Sequence, residues 1–474
     1  MKSFAGKKYY FVGAGGIGMS GLAMVLLRSG AEIYGSDRQG GFVIEKLNSL
    51  GADIKIGHMK EWLQAAGEMD AVVISAAVGS DNPELKYAKE KGFRVLKYAQ
   101  MLGQIVDQHK GLAFAGTHGK SSTSGWAAFM LSRLDYSPNY IVGADIKQLE
   151  GSSGVGKGSD FIVEACEYDR SFINIRPETA VITNIDLDHL DYYRDIDDII
   201  GAFSEFLAGV KPGGKILLNA DDKYYEPLLK SYYERMRSFG REPADIITYG
   251  IEANADYKAS GLKLEDGTYS FELCYDGYPT GRIHIELPGV HNVYNCLAAI
   301  AALGSQGVET EGLIRTAGLF EGIDRRLMVL AERQGIKLID DYAHHPTEIR
   351  ASLAAIRQMY RPQRIVCVFQ PHQYSRTRFF IDDFAESFEL SDLVIVPEIY
   401  FVRDTLESTK QVSSQDLVEK IKNKGSEAVF IDSFTGILSY LKENINSGDV
   451  VITMGAGDIW KVAEDYIKWL RTGS

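Results

Sequence analysis

The segment AGTHGKSSTSG, residues 115–125, combines small residues, a lysine and hydroxyls in the order used to bind nucleotide phosphates. Such a loop ordinarily places its first glycine four residues ahead of Gly-Lys-Ser/Thr. Here only Thr117 and His118 separate Gly116 from Gly119-Lys120-Ser121. The loop follows the apolar run GLAFAG and leads into the helical pattern STSGWAAFMLSRL. In that context backbone N–H groups and the helix dipole hold phosphate oxygens, Lys120 reaches the β and γ phosphates, and Ser121 meets Mg2+.

Phosphoryl transfer also needs a hard oxygen ligand for the metal, commonly an acid closing a neighbouring apolar strand. DFIVEACEYD offers Glu164 at such a position, and AVITNIDLDHLDYY closes another strand with Asn184, Asp186, Asp188 and His189. One acid at a strand end is usually solvated loop charge. Three strand ends serving one chemistry are harder to account for that way.

A second glycine-rich turn lies near the N-terminus. FVGAGGIGMSG matches G-x-G-x-x-G through Gly13, Gly15 and Gly18, between a strand and a helical pattern, and Asp37 closes the next strand at the distance of a ribose contact. Glycines let the backbone approach a diphosphate, and the free N–H groups from Ile17 onward favour an anion. The spacing alone admits either a dinucleotide or a UDP-sugar.

The elements that must position these loops are legible as short β-rich runs alternating with amphipathic segments: KYYFVG, AEIYGSD, DAVVISAAV, GLAFAGT, DFIVEAC, AVITNID, GKILLNA, RIVCVFQ, DLVIVPE and DVVITMG. That alternation predicts parallel sheets covered by helices on both faces, an α/β architecture. With 474 residues the chain is too long for one core. Three α/β series begin at Lys8, Gly111 and about Arg325, which predicts domains over 1–105, 106–322 and 323–474. Between 240 and 288 the pattern turns to alternation, as in YSFELCYDG and GRIHIELPG, predicting an antiparallel element added to the second sheet.

Composition narrows the function classes. A formal net charge of -13 argues against nucleic acid as a partner. No apolar stretch approaches the length of a membrane span, and YYFVGAGG is a strand entering a loop rather than a signal peptide, so a soluble, cytoplasmic protein is expected. Cys166, Cys274, Cys296 and Cys367 are far apart and are expected to be buried free thiols.

Taken in order, GTHGKSS, EACEYDRSF, TNIDLDH, LNADD and LPGVHNVYN resemble the central ATPase domain of the Mur ligases, which join amino acids to a UDP-sugar carboxylate during peptidoglycan synthesis. GAGGIGMSG, GSD and DNPE resemble that family's UDP-binding domain; DDYAHHPTE, FQPHQYSRT and MGAGDI resemble its C-terminal domain. The resemblance spans essentially the whole chain, and the shortened loop is the family's form. It implies a Rossmann-like N-terminal domain, a P-loop ATPase-like central domain with a mostly parallel sheet, and a Rossmann-like C-terminal domain.

The implied reaction links L-alanine to the lactyl carboxylate of UDP-N-acetylmuramate, with ATP as co-substrate and Mg2+ as cofactor, through an acyl phosphate. The implied ATP contacts are Gly116, Thr117, His118, Gly119, Lys120, Ser121, Ser122, Asn292, Asn295 and Arg326. Gly15, Gly16, Ile17, Gly18, Asp37, Ser75 and His118 would bind the UDP-sugar. Ser121, Glu164 and His189 would serve the metal, and Tyr342, His344 and Arg376 the amino acid. Lys120, His189, His344 and Arg376 carry the implied catalysis. Arg325 and Arg326 resemble a pair that reaches the phosphates when domains close. Of the adjacent His344 and His345 at most one is expected to face the site, His344 by family position.

Departures from the pattern are Gln373, where many relatives have arginine, Cys166, where aspartate is expected, and Ser121 and Ser122 in place of threonines. A monomer or weak homodimer is expected. The competing readings are a ligase adding a whole tripeptide to the same sugar nucleotide in cell-wall recycling, an NAD-dependent oxidoreductase built on the first loop, and a non-enzymatic UDP-sugar-binding regulator.

Overall fold

The computed structural model describes residues 4–149 and 151–472. They form three sheets in chain order.

The first sheet has five parallel strands in the spatial order Asp53–Ile56, Glu32–Asp37, Lys8–Val12, Ala71–Ile74, Val95–Lys97. Strand order reverses beside Lys8–Val12, and the glycine turn leaves its C-terminal end, the position at which open α/β sheets bind ligands. Its helix Ile17–Arg28 turns Gly21 toward the second domain, where an added Cβ would lie 3.2 Å from the Ser153 side chain.

The second sheet has ten strands. Its parallel body runs Asp245–Gly250, Lys215–Asn219, Thr179–Ile182, Lys110–Ala115, Asp160–Glu164, Asn139–Ile146, with Lys110–Ala115, which feeds the phosphate loop, in the middle. The alternating stretch forms the antiparallel strands Tyr257–Glu265, Thr268–Tyr275 and Tyr278–Ile285 at one edge. Asp245–Gly250, within the same predicted stretch, instead pairs in parallel, and a second antiparallel pair, Asn139–Ile146 with Gly151–Gly154, closes the other edge. The strand Gly151–Gly154 lacks apolar side chains, so no pattern in its sequence announced it.

Helices cover both faces because the strands are apolar on both. Trp126, on the helix Lys120–Arg133 that follows the phosphate loop, is wholly buried and donates its indole N–H to Ala317 O at 2.9 Å. Truncating it to alanine would cost about 3–5 kcal/mol, so the loop is carried by a rigid element. The third sheet runs Met328–Arg333, Ile336–Asp341, Asp449–Met454, Arg364–Phe369, Leu393–Val396, Glu427–Phe430, parallel except for the first pair. No helix among the described residues is long and apolar enough to cross a membrane.

Two of the four cysteines, Cys296 and Cys367, are buried as expected. Cys274 is half-buried, and Cys166, in the loop just past the strand Asp160–Glu164, is exposed, against the expectation of burial.

Candidate active site

The shortened loop holds its shape through the neighbouring strand end. Thr117 donates its N–H to Asn184 O at 2.9 Å, and His118 donates its N–H to Asn184 Oδ1 at 2.9 Å. Thr183 returns its hydroxyl to His118 O at 2.6 Å. Gly116 has φ +137°, and a Cβ there would lie 2.0 Å from Thr183 Oγ1. The segment TNID therefore braces the shortened loop.

Lys120 donates to Gly116 O at 2.6 Å and Thr117 O at 2.9 Å, and its ammonium lies 2.9 Å from the Glu167 carboxylate. His189 Nε2 is 3.4 Å from the same carboxylate. Burial would raise the Glu167 carboxyl; the charges of Lys120 and His189 outweigh it and hold it below its usual range. Ser121 donates its hydroxyl to Glu164 Oε2 at 2.6 Å, and Gly143 N–H donates to the same oxygen at 2.8 Å. A hydroxyl and a carboxylate in contact at a phosphate loop are hard oxygen donors that suit Mg2+. His189 contacts Glu167 rather than Glu164.

The third domain closes over this loop. His118 places Nε2 3.6 Å from Asp186 Oδ2 and Nδ1 3.4 Å from Glu348 Oε1. Burial disfavours its charge, but hydrogen bonds to Asp186 and Glu348 prevail and push it up to about 9. Thr347 donates its hydroxyl to Asp186 Oδ2 at 2.7 Å. The His345 ring lies 4.9 Å from that of His118, and its Nε2 donates to Leu187 O at 3.1 Å. His118, Asp186 and His345 bring three ligand atoms within 4.8 Å of one another; the ion pair of His118 with Asp186 and the His345 hydrogen bond account for that grouping.

His344 turns the other way, with Nδ1 donating to Tyr342 O at 3.0 Å and its ring 6.0 Å from His372. Of the adjacent histidines it is His345, not the favoured His344, that meets the phosphate loop. The two diverge as neighbours must, but His345 caps the helix Pro346–Tyr360 and meets the phosphate loop while His344 faces the wall formed with His372. Desolvation pushes His344 down to about 4 and His372 to about 3, so both are neutral. Arg376 donates to Asp188 Oδ1 at 2.7 Å, both side chains under a tenth exposed.

The linker arginines take different partners. Arg326 donates to Glu348 Oε1 at 3.1 Å and faces the cleft. Arg325, at φ +59°, turns into its own domain and donates to Asp340 and to Gly455 O, at 2.9 and 2.8 Å.

Beside the loop, a cavity of about 490 Å3 is lined by His118, Gly119, Ser122, Asn292, Asn295, Arg326 and Asp341 among others. Asn295 donates to Asn292 Oδ1 at 3.2 Å and accepts the Thr123 hydroxyl, also at 3.2 Å, which fastens both amides to the loop helix. Asp221, unassigned by sequence reasoning, accepts the N–H groups of Ile251, Glu252 and Ala253 and the Tyr294 hydroxyl, bracing one wall. Glu348, inside the motif DDYAHHPTE, is likewise unassigned by sequence reasoning, and Asp186, named there only among the strand-end acids, pairs with His118 and Thr347.

In the first domain Asp37 accepts the Gly15 N–H at 2.7 Å and the Gln39 N–H at 3.0 Å. A Cβ on Gly13 would lie 3.1 Å from Ser75, which puts Ser75 at the loop. Tyr98 covers Gly18. Burial, then the charges of Glu164 and Cys166, raise its phenol above the usual value, which locates the glycine turn on the same side as the second domain's acids.

Comparison with known proteins gives three domain matches: residues 8–110 to the Mur ligase family catalytic domain, 114–303 to the Mur ligase middle domain, and 325–457 to the Mur ligase glutamate ligase domain. A UDP-N-acetylmuramate–L-alanine ligase of Caldanaerobacter subterraneus subsp. tengcongensis is 40% identical over 464 residues, covering 98% of this chain and 97% of that one. One of the same name from Alkaliphilus metalliredigens is 40% identical over 461 residues, 97% and 96% of the two chains. Among solved structures, UDP-N-acetylmuramate-alanine ligase from Thermotoga maritima matches with TM-score 0.79 at 26% identity, over 98% and 100% of the chains. A murein peptide ligase from Psychrobacter arcticus, TM-score 0.71 and 22% identical over 98% and 99%, shares the fold.

Proposed function

The chain belongs to the Mur ligase family, and from that membership and the cleft geometry we infer that it joins L-alanine to the lactyl carboxylate of UDP-N-acetylmuramate, converting ATP to ADP and phosphate. The observation that carries this reading is the meeting of the phosphate loop with the third domain's histidine motif, through His118 with Glu348 and Thr347 with Asp186. A nucleotide loop thereby faces a separate domain suited to a second substrate.

A carboxylate resists amine attack because it is anionic and its leaving group would be oxide. Transfer of the γ-phosphoryl group makes an acyl phosphate; the amine adds, and the tetrahedral oxyanion collapses to the amide with loss of phosphate. Negative charge moves at every step, so preorganised cations supply most of the acceleration. Lys120 follows the transferring phosphoryl group, which requires it to exchange Glu167 for phosphate oxygens. His118, protonated at neutral pH and set between loop and third domain, orients the sugar carboxylate. Ser121 and Glu164 would hold Mg2+, with His189 nearby on Glu167; the ion neutralises phosphate charge when bound. Asn292, Asn295, Arg326 and the loop residues Gly116, Thr117, Gly119 and Ser122 form the ATP site. Gly15, Gly16, Ile17, Gly18, Asp37 and Ser75 form the UDP-sugar site, where Asp37 shapes the turn by holding Gly15. Neutral His344, with Tyr342 and Arg376, belongs to the amino-acid side. Contact between the second and third domains excludes water from the acyl phosphate.

The reading extends to a cytoplasmic monomer or weak homodimer with no nucleic-acid partner. The tripeptide ligase is disfavoured because relatives covering nearly the whole chain carry the L-alanine name. Phosphate release with ATP, Mg2+ and UDP-N-acetylmuramate, in the presence of L-alanine, glycine, L-serine or L-Ala-γ-D-Glu-meso-diaminopimelate, tests it. Strict dependence on the sugar nucleotide and preference for L-alanine are expected, the methyl group being worth roughly 1–3 kcal/mol over glycine. Turnover with the tripeptide alone would overturn the assignment.

A further inference from the structure

An amino acid enters this site carrying an α-carboxylate, and a carboxylate leaving water requires a cation. Arg376 is the cation the sequence offers, but its charge is already matched by Asp188 in a buried contact of 2.7 Å. An incoming anion would have to share or displace that partner, leaving a buried charge uncompensated. His344 and His372 are neutral and bring no charge.

A cation with no carboxylate partner among the described residues lies on the loop after Leu393–Val396. Tyr400 ties this loop to the His372 segment: its N–H donates to Pro371 O at 2.8 Å, its carbonyl accepts Gln373 N–H at 3.1 Å, and its ring stacks on His372 at 5.6 Å. Asp404 accepts the N–H groups of Tyr374 and Ser375, anchoring the loop at the start of the turn that bears Arg376. Between these anchors Arg403 extends its guanidinium 4.3 Å over the ring of Tyr168, and Tyr168 lies 5.0 Å from the ring of His189. Arg403 is exposed, has φ +54°, and has no carboxylate partner among the described residues.

We propose that Arg403 is the residue that captures the α-carboxylate of the incoming amino acid, at the rim between the His372 loop and the His189 wall, while Arg376 stays with Asp188 and fixes the domain contact. The proposal rests on the functional reading above. Held over Tyr168 by its ring and its hydroxyl, the guanidinium has further N–H donors to offer, and its planar fork matches a carboxylate bidentately. It also explains how the site tolerates Gln373, which is buried and points no charge into the cleft.

The test is steady-state kinetics of the full chain and of Arg403→Ala, Arg403→Gln and Arg403→Lys, with L-alanine, ATP and UDP-N-acetylmuramate varied in turn. The alanine and glutamine variants should raise KM for L-alanine about 10- to 100-fold, leave the other two KM values unchanged, and lose the preference for L-alanine over L-alaninamide. Lysine should restore much of the loss. An unchanged KM for L-alanine, or an equal rise in all three KM values as expected of a mere closure contact, would overturn the proposal. Failure of the unsubstituted chain to use L-alanine would instead remove the functional reading, and this proposal with it.

Discussion

Arg376 of the third domain and Asp188 of the second meet at 2.7 Å across a sequence distance of 188 residues, each side chain under a tenth exposed. Burial acts to raise the Asp188 carboxyl, yet Arg376 holds it well below the usual range. Removing one partner of such a pair costs about 3–5 kcal/mol. Because the partners lie on different domains, the loss falls on their contact as well as on the fold. Asp188→Asn should expand the molecule, seen as a larger radius of gyration in X-ray scattering, and lower kcat/KM; an unchanged radius would count against this role.

Lys120 and Glu167 form a second buried pair, inside the phosphate loop. Lys120→Ala should abolish most phosphate release, by about 100- to 1,000-fold, and also lower the melting temperature because Glu167 is left without its nearest cation. Lys120→Ala combined with Glu167→Gln should recover the melting temperature and none of the activity. Additive melting-temperature losses in that cycle would mean the two residues are uncoupled.

His118 supplies a pH signature. Its pKa, pushed up to about 9, lies above the unfolded value of about 6.5. The stabilisation it brings is therefore complete below about pH 6.5 and lost as pH rises through about 9. Asp186, lowered by the same contact, contributes above its unfolded value and loses its share only under strongly acidic conditions. The melting temperature should fall between about pH 7 and 9, and His118→Gln should flatten that limb. A variant with the same limb as the parent would place the titration elsewhere.

Gly116→Ala tests the loop's shape. The new Cβ would meet Thr183 Oγ1 at 2.0 Å on a backbone at φ +137°, so the loop must move away from the segment that holds it. A destabilisation of about 1–3 kcal/mol and a raised KM for ATP are expected. Adding Thr183→Ala should relieve the clash but not the backbone strain, returning part of the stability.

Much of the fold and the chemistry of the loops was readable because they depend on near neighbours. Gly-Lys-Ser between an apolar strand and a helix turns backbone N–H groups toward an anion, and continuous apolar runs make strands buried on both faces. The weak edge strand Gly151–Gly154 was unreadable for the converse reason: its pairing with Asn139–Ile146, not its composition, makes it a strand. The position of Asp37 after the second strand suggests a ribose contact, whereas that its carboxylate accepts the Gly15 and Gln39 amides follows only from the folded turn.

Local pattern was enough for the three α/β units, the phosphate loop with its hydroxyl and acid, and the histidines and arginines gathered in the third unit. Which partners those charges take follows from the packing of the three units. His345 meets the phosphate loop while His344 turns to His372; Arg326 faces the cleft while Arg325 does not; Arg376 is matched by Asp188, and Arg403 has no carboxylate partner among the described residues. A charge's partner depends on which strand ends the topology brings together, and these partners are separated by up to 188 residues, beyond the reach of any local pattern.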